Sequence, residues 1–276
     1  MPDVTAADPL ARIQARLRDL GAPWPAPLFH FPSLGSTNDW LKERARREGT
    51  ALLPEWTTVV AGRQSAGRGR HGRSWIAPAG NLCLSVLLRP SLAAERLGLL
   101  PLAVGVALAE AVASLGVDVR LKWPNDLLAG ERKLGGILVE AVSGGERVEA
   151  AVVGIGVNVA LDPGELPPEL RPQVTSLRAE GAGSAGELVG ELAAAALARM
   201  TVWYDALGRG RDDAVLAAWR ERSLPWWGRR VEVHSGMERL HGTLQGLDPR
   251  GRLLLELEDG STTALLSGEV RGLRVS

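Results

Sequence analysis

The sequence predicts an α+β protein in which helices pack on a mixed, largely antiparallel sheet and a small β-barrel follows. Three observations carry the expectation. Apolar residues recur at helical spacing in residues 9–20, 184–207 and 211–222. Between these lie apolar runs joined by hairpin turn signals at Ala129-Gly130 and Gly144-Gly145, which make neighbouring strands antiparallel. Beyond Leu224-Pro225 the pattern changes to short alternating strands over roughly fifty residues. A length of 276 residues suits about two domains, and the boundary is placed to give residues 1–224 and 225–276.

Taken in order, the first helix sets Leu10, Ile13, Leu17 and Leu20 against Arg12, Arg16 and Arg18. Gly21 and the prolines Pro23, Pro25 and Pro27 end it. Leu28 to Phe31 is a short extended segment. In Ser33-Leu-Gly-Ser36-Thr37-Asn38-Asp39 the helix cap is Ser36 or Thr37, and Asp39 is placed for a capping box with Ser36. The same hydroxyl and amide groups would also make a polar pocket wall. Asn81 to Leu88 reads as a buried strand. Glu95 to Leu115 reads as an apolar helix in which Pro101 marks a kink or a late start. Val119 to Trp123, Leu134 to Val142 and Val148 to Val159 read as strands. The last of these contains Gly154 and Gly156, which implies that a ligand or another backbone lies close against that face. Residues 161–182 are rich in Pro and Gly and read as loop. In the C-terminal part, Val231/Val233, Leu240/Leu244, Leu253/Leu255/Leu257 and Ala264/Leu266 alternate, with turns at Asp248 to Gly251 and Asp259-Gly260.

Composition excludes several classes. Basic and acidic residues balance at 32 each, which argues against a general nucleic-acid or membrane-surface binder. No apolar run reads as membrane-spanning and the N-terminus lacks a secretory signal, so a cytoplasmic protein is expected. Cys83 stands alone in a strand, as a small core residue. His30, His71, His234 and His241 are scattered and, with Cys83, form no metal-ligand spacing. The cations are overwhelmingly arginine, with only Lys42, Lys122 and Lys133 as lysines; the asparagines are Asn38, Asn81, Asn125 and Asn158. In so biased a chain, a retained compact charge or short amide marks where polar chemistry sits.

The segment Ala61 to Trp75, AGRQSAGRGRHGRSW, interleaves Gly62, Gly67, Gly69 and Gly72 with Arg63, Arg68, Arg70 and Arg73. Glycine lets backbone turn or approach a ligand, and arginine grips planar anions, so this is an anion-binding loop between strands. Gly67-x-Gly69-x-x-Gly72 also matches a dinucleotide fingerprint, but the following Ser74-Trp75-Ile76-Ala77-Pro78 is extended rather than helical. A minor-groove arm of a DNA-binding protein is a further reading of Gly-Arg-Gly-Arg. Lys122 and Lys133 flank the Pro124-Asn125-Asp126 turn and add to the cationic cluster. Neither a Gly-x-Ser-x-Gly elbow nor a Walker-type loop is present. The residues describe a phosphate-handling, nucleotide-dependent enzyme without a covalent nucleophile, and leave its substrate open.

In combination, four segments resemble the bacterial biotin–protein ligases: Ser36-Thr37-Asn38, Gly62 to Trp75, KWPNDLLAGERKLGGILVE from Lys122 to Glu140, and Gly154-Ile-Gly-Val-Asn158. The likeness covers most of residues 29–160 and a C-terminal barrel ending in Ser267-Gly268-Glu269. It implies a class II synthetase-like catalytic domain and an SH3-like second domain. It further implies an ATP-dependent ligase that makes biotinyl-5′-adenylate and passes biotin to a lysine of a biotin carboxyl carrier protein. Biotin would meet Ser36, Thr37, Asn38 and Gln64, the loop residues Arg68, Gly69 and Arg70, and Lys133. Gly136, Gly154 and Gly156 would let backbone approach its bicyclic ring. ATP would meet Arg73, Trp75, Lys122, Asn125, Lys133 and Asn158. Lys133, Arg68 and Arg70 would act in catalysis, with Mg²⁺ arriving on ATP. About thirty residues precede the first motif, too few for the winged helix of repressor-type relatives, so no DNA binding is expected. His71 departs from the arginine or glycine common there, and reads as a solvent-facing loop residue. Strands such as Leu134 to Val142 offer a surface through which a homodimer would pair. Two alternatives differ from this reading. A lipoate–protein ligase would share the fold, and a nucleic-acid-binding module would use the arginine loop alone.

Overall fold

A computed structural model describes residues 9–49, 52–144 and 147–272. Its larger unit is a seven-stranded sheet of β1 (Leu28–Phe31), β2 (Thr58–Ala61), β3 (Leu82–Leu88), β4 (Arg120–Lys122), β5 (Asp126–Ala129), β6 (Arg132–Gly144) and β7 (Arg147–Val157). The strand order is β1-β2-β3-β7-β6-β5-β4. Only β1 and β2 pair in parallel; every other neighbour is antiparallel, including β5–β6 and β6–β7, whose connections carry the hairpin signals. Gly130, at φ 58°, makes the β5–β6 turn. Of the second expected turn, Gly144-Gly145, the latter residue lies outside the described residues.

Side chains alternate between the two faces of a strand, and here the faces have different jobs. On β3, Leu82, Leu84, Val86 and Leu88 join the main core, as do Val153, Ile155 and Val157 of β7. That face is covered by α3 (Leu100–Ala113), which packs in turn against α4 (Ala185–Gly208) and α5 (Asp212–Arg222). Helix α1 (Pro9–Asp19) adds Ile13 and Leu17 against α4. Helix α3 is buried almost all round, so it carries apolar residues on every face rather than along one stripe. Leu108, for example, is fully buried, and its truncation to alanine would cost about 2–5 kcal/mol. Pro101 proves to be a late start: a 3₁₀ segment, Ala94–Leu99, precedes it and the α-helix begins at Leu100. Together the two stretches give a 20-residue helical run, apolar and long enough by composition to cross a membrane, contrary to expectation. It is 67% buried against the rest of the protein.

The opposite face carries α2 (Thr37–Glu48) across β2, β3, β7 and β6, where Leu41 and Ala45 pack on Val59, Leu87, Val142 and Val152. The remainder of that face is open and holds the polar cleft described below.

The C-terminal unit is a five-stranded antiparallel sheet of β8 (Arg230–Ser235), β9 (Glu238–Leu247), β10 (Leu253–Leu257), β11 (Thr262–Leu265) and β12 (Glu269–Gly272). Its order is β11-β10-β9-β8-β12. The strand at Glu269–Gly272 has only Val270 buried among its four residues, and no alternation revealed it in the sequence. The turn at Asp248 is closed by its own carboxylate, which accepts from the backbone of Arg250 and Arg252. Gly251, at φ 76°, sits against Leu99 and Leu102 of the helical layer. Its carbonyl accepts from buried Trp123 Nε1 at 3.1 Å. That bond ties the two sheets together beside the cleft.

Candidate active site

A cleft of about 940 Å³, counting space open to solvent, lies on the sheet face away from α3. Its floor is Gly136, Leu138, Gly154 and Gly156 of β6 and β7; the start of α2 forms one wall. The β4–β5 turn, Lys133 and the C-terminal residues Gly268 and Glu269 form the other.

The arginine segment covers this space because its glycines allow a tight fold-back. Trp75 N donates to Gly67 O and Gly69 N to Arg73 O, at 2.9 and 2.7 Å. A Cβ on Gly67 would lie 2.4 Å from Trp75 O, so no larger residue fits there. His71 and Gly72, both at positive φ, turn the chain at the exposed tip. Beyond a single 3₁₀ turn at Arg70–Gly72 the loop opens no α-helix, which removes the dinucleotide-fingerprint reading.

At the α2 end the groups are hydrogen-bonding. Ser36 caps the helix by accepting from Asp39 N. Thr37 donates through both its backbone N and Oγ1 to Gln64 Oε1, at 2.7 and 3.0 Å. Ser85 Oγ, fully buried on β3, lies 2.7 Å from Thr37 Oγ1 and donates to Asn38 Oδ1 at 2.6 Å. Asn38 Nδ2 donates to Glu140 Oε2 at 2.8 Å. Arg68 is held by Asp39 at 2.6 Å and by Glu140 at 3.1 Å.

The other end is cationic. Arg70 donates to the neutral Asn125 Oδ1 at 3.2 Å, while Asn125 Nδ2 donates to Ile137 O. Burial lowers the Arg70 pKa, partly offset by Asp126. Lys133 pairs with Asp126 at 2.6 Å and stands 5.7 Å from the Trp75 ring. Lys122, beneath the Trp226 ring at 5.8 Å, has its pKa lowered chiefly by burial, against the pull of Asp126 and Glu269. Arg73 reaches Glu269 at 2.9 Å. Burial would raise the Glu269 pKa, but Arg271, Arg73 and Lys122 together hold it below the usual range.

Most of the expected site residues therefore converge: Ser36, Thr37, Asn38, Gln64, Arg68, Gly69, Arg70, Arg73, Trp75, Lys122, Asn125, Lys133, Gly136, Gly154 and Gly156 all line the cleft. Asn158 does not. Its Nδ2 donates to Thr175 O, and Thr175 N donates in turn to Lys133 O, so it braces the strand that carries Lys133. The floor glycines also differ from one another. The space of a Gly154 side chain is filled by the Asn38 amide, and that of Gly156 by the Trp75 indole, whereas a Cβ on Gly136 would meet only ordinary contacts with Lys133 and Asp126. Asp126 lines the cleft, and Ser85 and Glu140 lie behind it on Asn38, none of the three having been singled out. Ser85 is the only polar residue in Leu82–Leu88, and that was the available signal.

A model of the Biotin/lipoate A/B protein ligase family matches residues 31–158, and one of the Biotin protein ligase C terminal domain matches residues 227–271. The biotin–[acetyl-CoA-carboxylase] ligase of Mycobacterium tuberculosis is 36% identical over 253 residues, 87% of this chain and 86% of that one. The chain belongs to the biotin protein ligase family. Another relative, the Paracoccus denitrificans biotin–[acetyl-CoA-carboxylase] ligase, is 36% identical and covers 71% of this chain and 82% of its own length. The bifunctional ligase/repressor BirA of Bacillus subtilis is 32% identical over 84% of this chain and 70% of that one. Among solved structures, the biotin protein ligase from Aquifex aeolicus in complex with biotin and ATP superposes with a TM-score of 0.72 at 30% identity. It covers 88% of this chain and 97% of the other. Membership and the C-terminal match favour the biotin branch over the lipoate alternative.

Proposed function

We propose that this protein joins biotin to ATP, forming biotinyl-5′-adenylate, and transfers the biotinyl group to a lysine of a carrier domain. The supporting observation is a single cleft with a hydrogen-bonding end and a cationic end. Biotin's ring carries a carbonyl acceptor and two N–H donors, which suit Ser36, Thr37, Asn38 and Gln64. Its carboxylate must meet the α-phosphate of ATP, and two anions meet only where charge is compensated. Arg70, Lys122 and Lys133 supply that compensation. A biotin carboxylate oxygen attacks the α-phosphorus and the bond to pyrophosphate breaks, with charge on the leaving oxygens met by Lys133. The carrier lysine, as the free amine, then attacks the acyl carbon; the acyl–phosphate bond breaks, AMP leaves, and the new amide nitrogen gives up a proton to water.

Trp75 and Arg73 are assigned to adenine and phosphate, and Asn158 acts by bracing Lys133. Among the described residues no cluster of three His, Cys, Asp or Glu is arranged for a metal, so Mg²⁺ would come on the phosphates of ATP. We further assign residues 1–224 to catalysis and 225–276 to a second domain that completes the cleft. The reading is tested by biotin-dependent exchange of pyrophosphate into ATP, and by a biotin-sized mass gain on a carrier domain. Exchange that is indifferent to biotin, or supported equally by lipoate, refutes it.

A further inference from the structure

Glu140 does not line the cleft, yet two side chains of the cleft's polar end, Asn38 and Arg68, meet on it together with Lys42 behind them. Its carboxylate accepts from Asn38 Nδ2 at 2.8 Å, Lys42 Nζ at 2.6 Å and Arg68 Nη2 at 3.1 Å. Its side chain is only 18% exposed and that of Lys42 only 11%. Asp39 shares both cations, at 3.0 Å from Lys42 and 2.6 Å from Arg68. Two carboxylates thus balance two cations, and this end of the cleft is electrically neutral. The far end holds Arg70, Arg73, Lys122 and Lys133 against Asp126 and Glu269, four cations to two carboxylates. One cleft is therefore sorted into a neutral part and a positive part, and Glu140 is the hub of the neutral one.

The carboxylate also fixes an orientation. Asn38 can present its amide either way round, but two acceptors on Nδ2, the Glu140 carboxylate at 2.8 Å and Leu138 O at 3.3 Å, permit only one, and the Ser85 hydroxyl then donates to Oδ1. We propose that Glu140 is a positioning residue for recognition of an uncharged, hydrogen-bonding ring. It sets the Asn38 amide and holds the Arg68 guanidinium against the wall, so that no net charge faces the ring. This deepens the biotin reading and rests on it.

Glu140→Gln tests the idea at the level of atoms. The new amide has one acceptor for Lys42 and Arg68 and turns its NH₂ on Asn38, donor against donor, while leaving one uncompensated positive charge. The KM for biotin in pyrophosphate exchange should rise about tenfold, in the range of a charge-assisted hydrogen bond, with kcat moving much less. Adding Lys42→Met removes the surplus charge and leaves only Arg68, itself paired with Asp39, to compete with Asn38 for the glutamine oxygen. The double variant should then recover most of the lost biotin affinity. Asp39→Asn, at a more open position, should raise the same KM by a smaller factor, and it serves if the Glu140 variant does not fold. An unchanged biotin KM in Glu140→Gln overturns the proposal. So does a parallel fall in kcat and thermal midpoint that Lys42→Met does not relieve, which is the mark of a merely structural role. Failure of the biotin reading looks different: the wild-type protein itself would show no biotin-dependent exchange.

Discussion

Replacing Gly154 with alanine adds one methyl group and should damage the site more than its size suggests. The new Cβ would lie 2.3 Å from Asn38 Oδ1 and 2.9 Å from its Cγ. A carbon in contact with such an atom sits near 3.5 Å, so something must yield by about 1 Å. Strand β7 cannot, because it is paired on both sides, with Ser85 opposite Gly154 on β3 and Leu138 opposite it on β6. Asn38 must move, and its bonds to Ser85 and Glu140 break. Loss of one neutral and one charge-assisted bond, plus local overpacking, places the destabilisation at about 2–4 kcal/mol. Urea unfolding measures that figure, and biotin-dependent exchange should show a raised KM for biotin in the same variant. Gly136→Ala is the internal control, since its nearest neighbour is the flexible end of Lys133 at 3.6 Å. Wild-type stability and biotin affinity in Gly154→Ala would refute the packing logic, as would equal damage from Gly136→Ala.

Lys133→Ala removes the partner of Asp126 and should slow adenylation by about 10²–10³-fold, with the far-UV dichroism unchanged; single-turnover assays decide it. Lys122, whose pKa lies below the ordinary 10.5 because of burial, opposes folding while charged. Stability should therefore climb as pH rises through the lowered pKa towards 10.5, where the unfolded state holds the extra proton. Lys122→Met should abolish that climb in unfolding titrations while weakening ATP binding. Over the same alkaline window the wild-type KM for ATP should rise as the charge is lost, and Lys122→Arg should push that rise to higher pH. Trp123→Phe leaves Gly251 O without its donor and should cost about 1–2 kcal/mol, read as a fall in thermal midpoint.

The helices, nearly all strands and the composition of the cleft were legible because they depend on local pattern. Helical spacing placed α4 and α5 almost to the residue, and the scarcity of lysine and asparagine pointed to Lys122, Lys133, Asn38 and Asn125. What stayed hidden depends on register between distant strands. Ser85 and Gly154 face each other only once β3 and β7 pair, and Asn38 reaches both from a helix more than a hundred residues before Gly154. Glu140 lay unremarked within the expected strand Leu134 to Val142, since its three partners come from α2 and the loop. For Asn158, side-chain chemistry alone cannot distinguish a ligand's partner from a backbone brace. Its amide was free to be either until the 175 segment was seen beneath it. The membrane test failed for a related reason: the 94–113 run is apolar because it is a core helix.

The two-faced sheet has a consequence for how this protein can change. Along β3 and β7, residues answer alternately to two separate demands: volume on the helix side, chemistry on the cleft side. A saturation mutagenesis map of Leu82–Leu88 should show a beat of period two, with Leu84 and Val86 tolerating other aliphatics and Ser85 tolerating almost nothing. Because the demands interleave rather than overlap, the cleft can be rewritten at alternate positions, odd-numbered on β3 and even-numbered on β7, while the core goes on holding the fold.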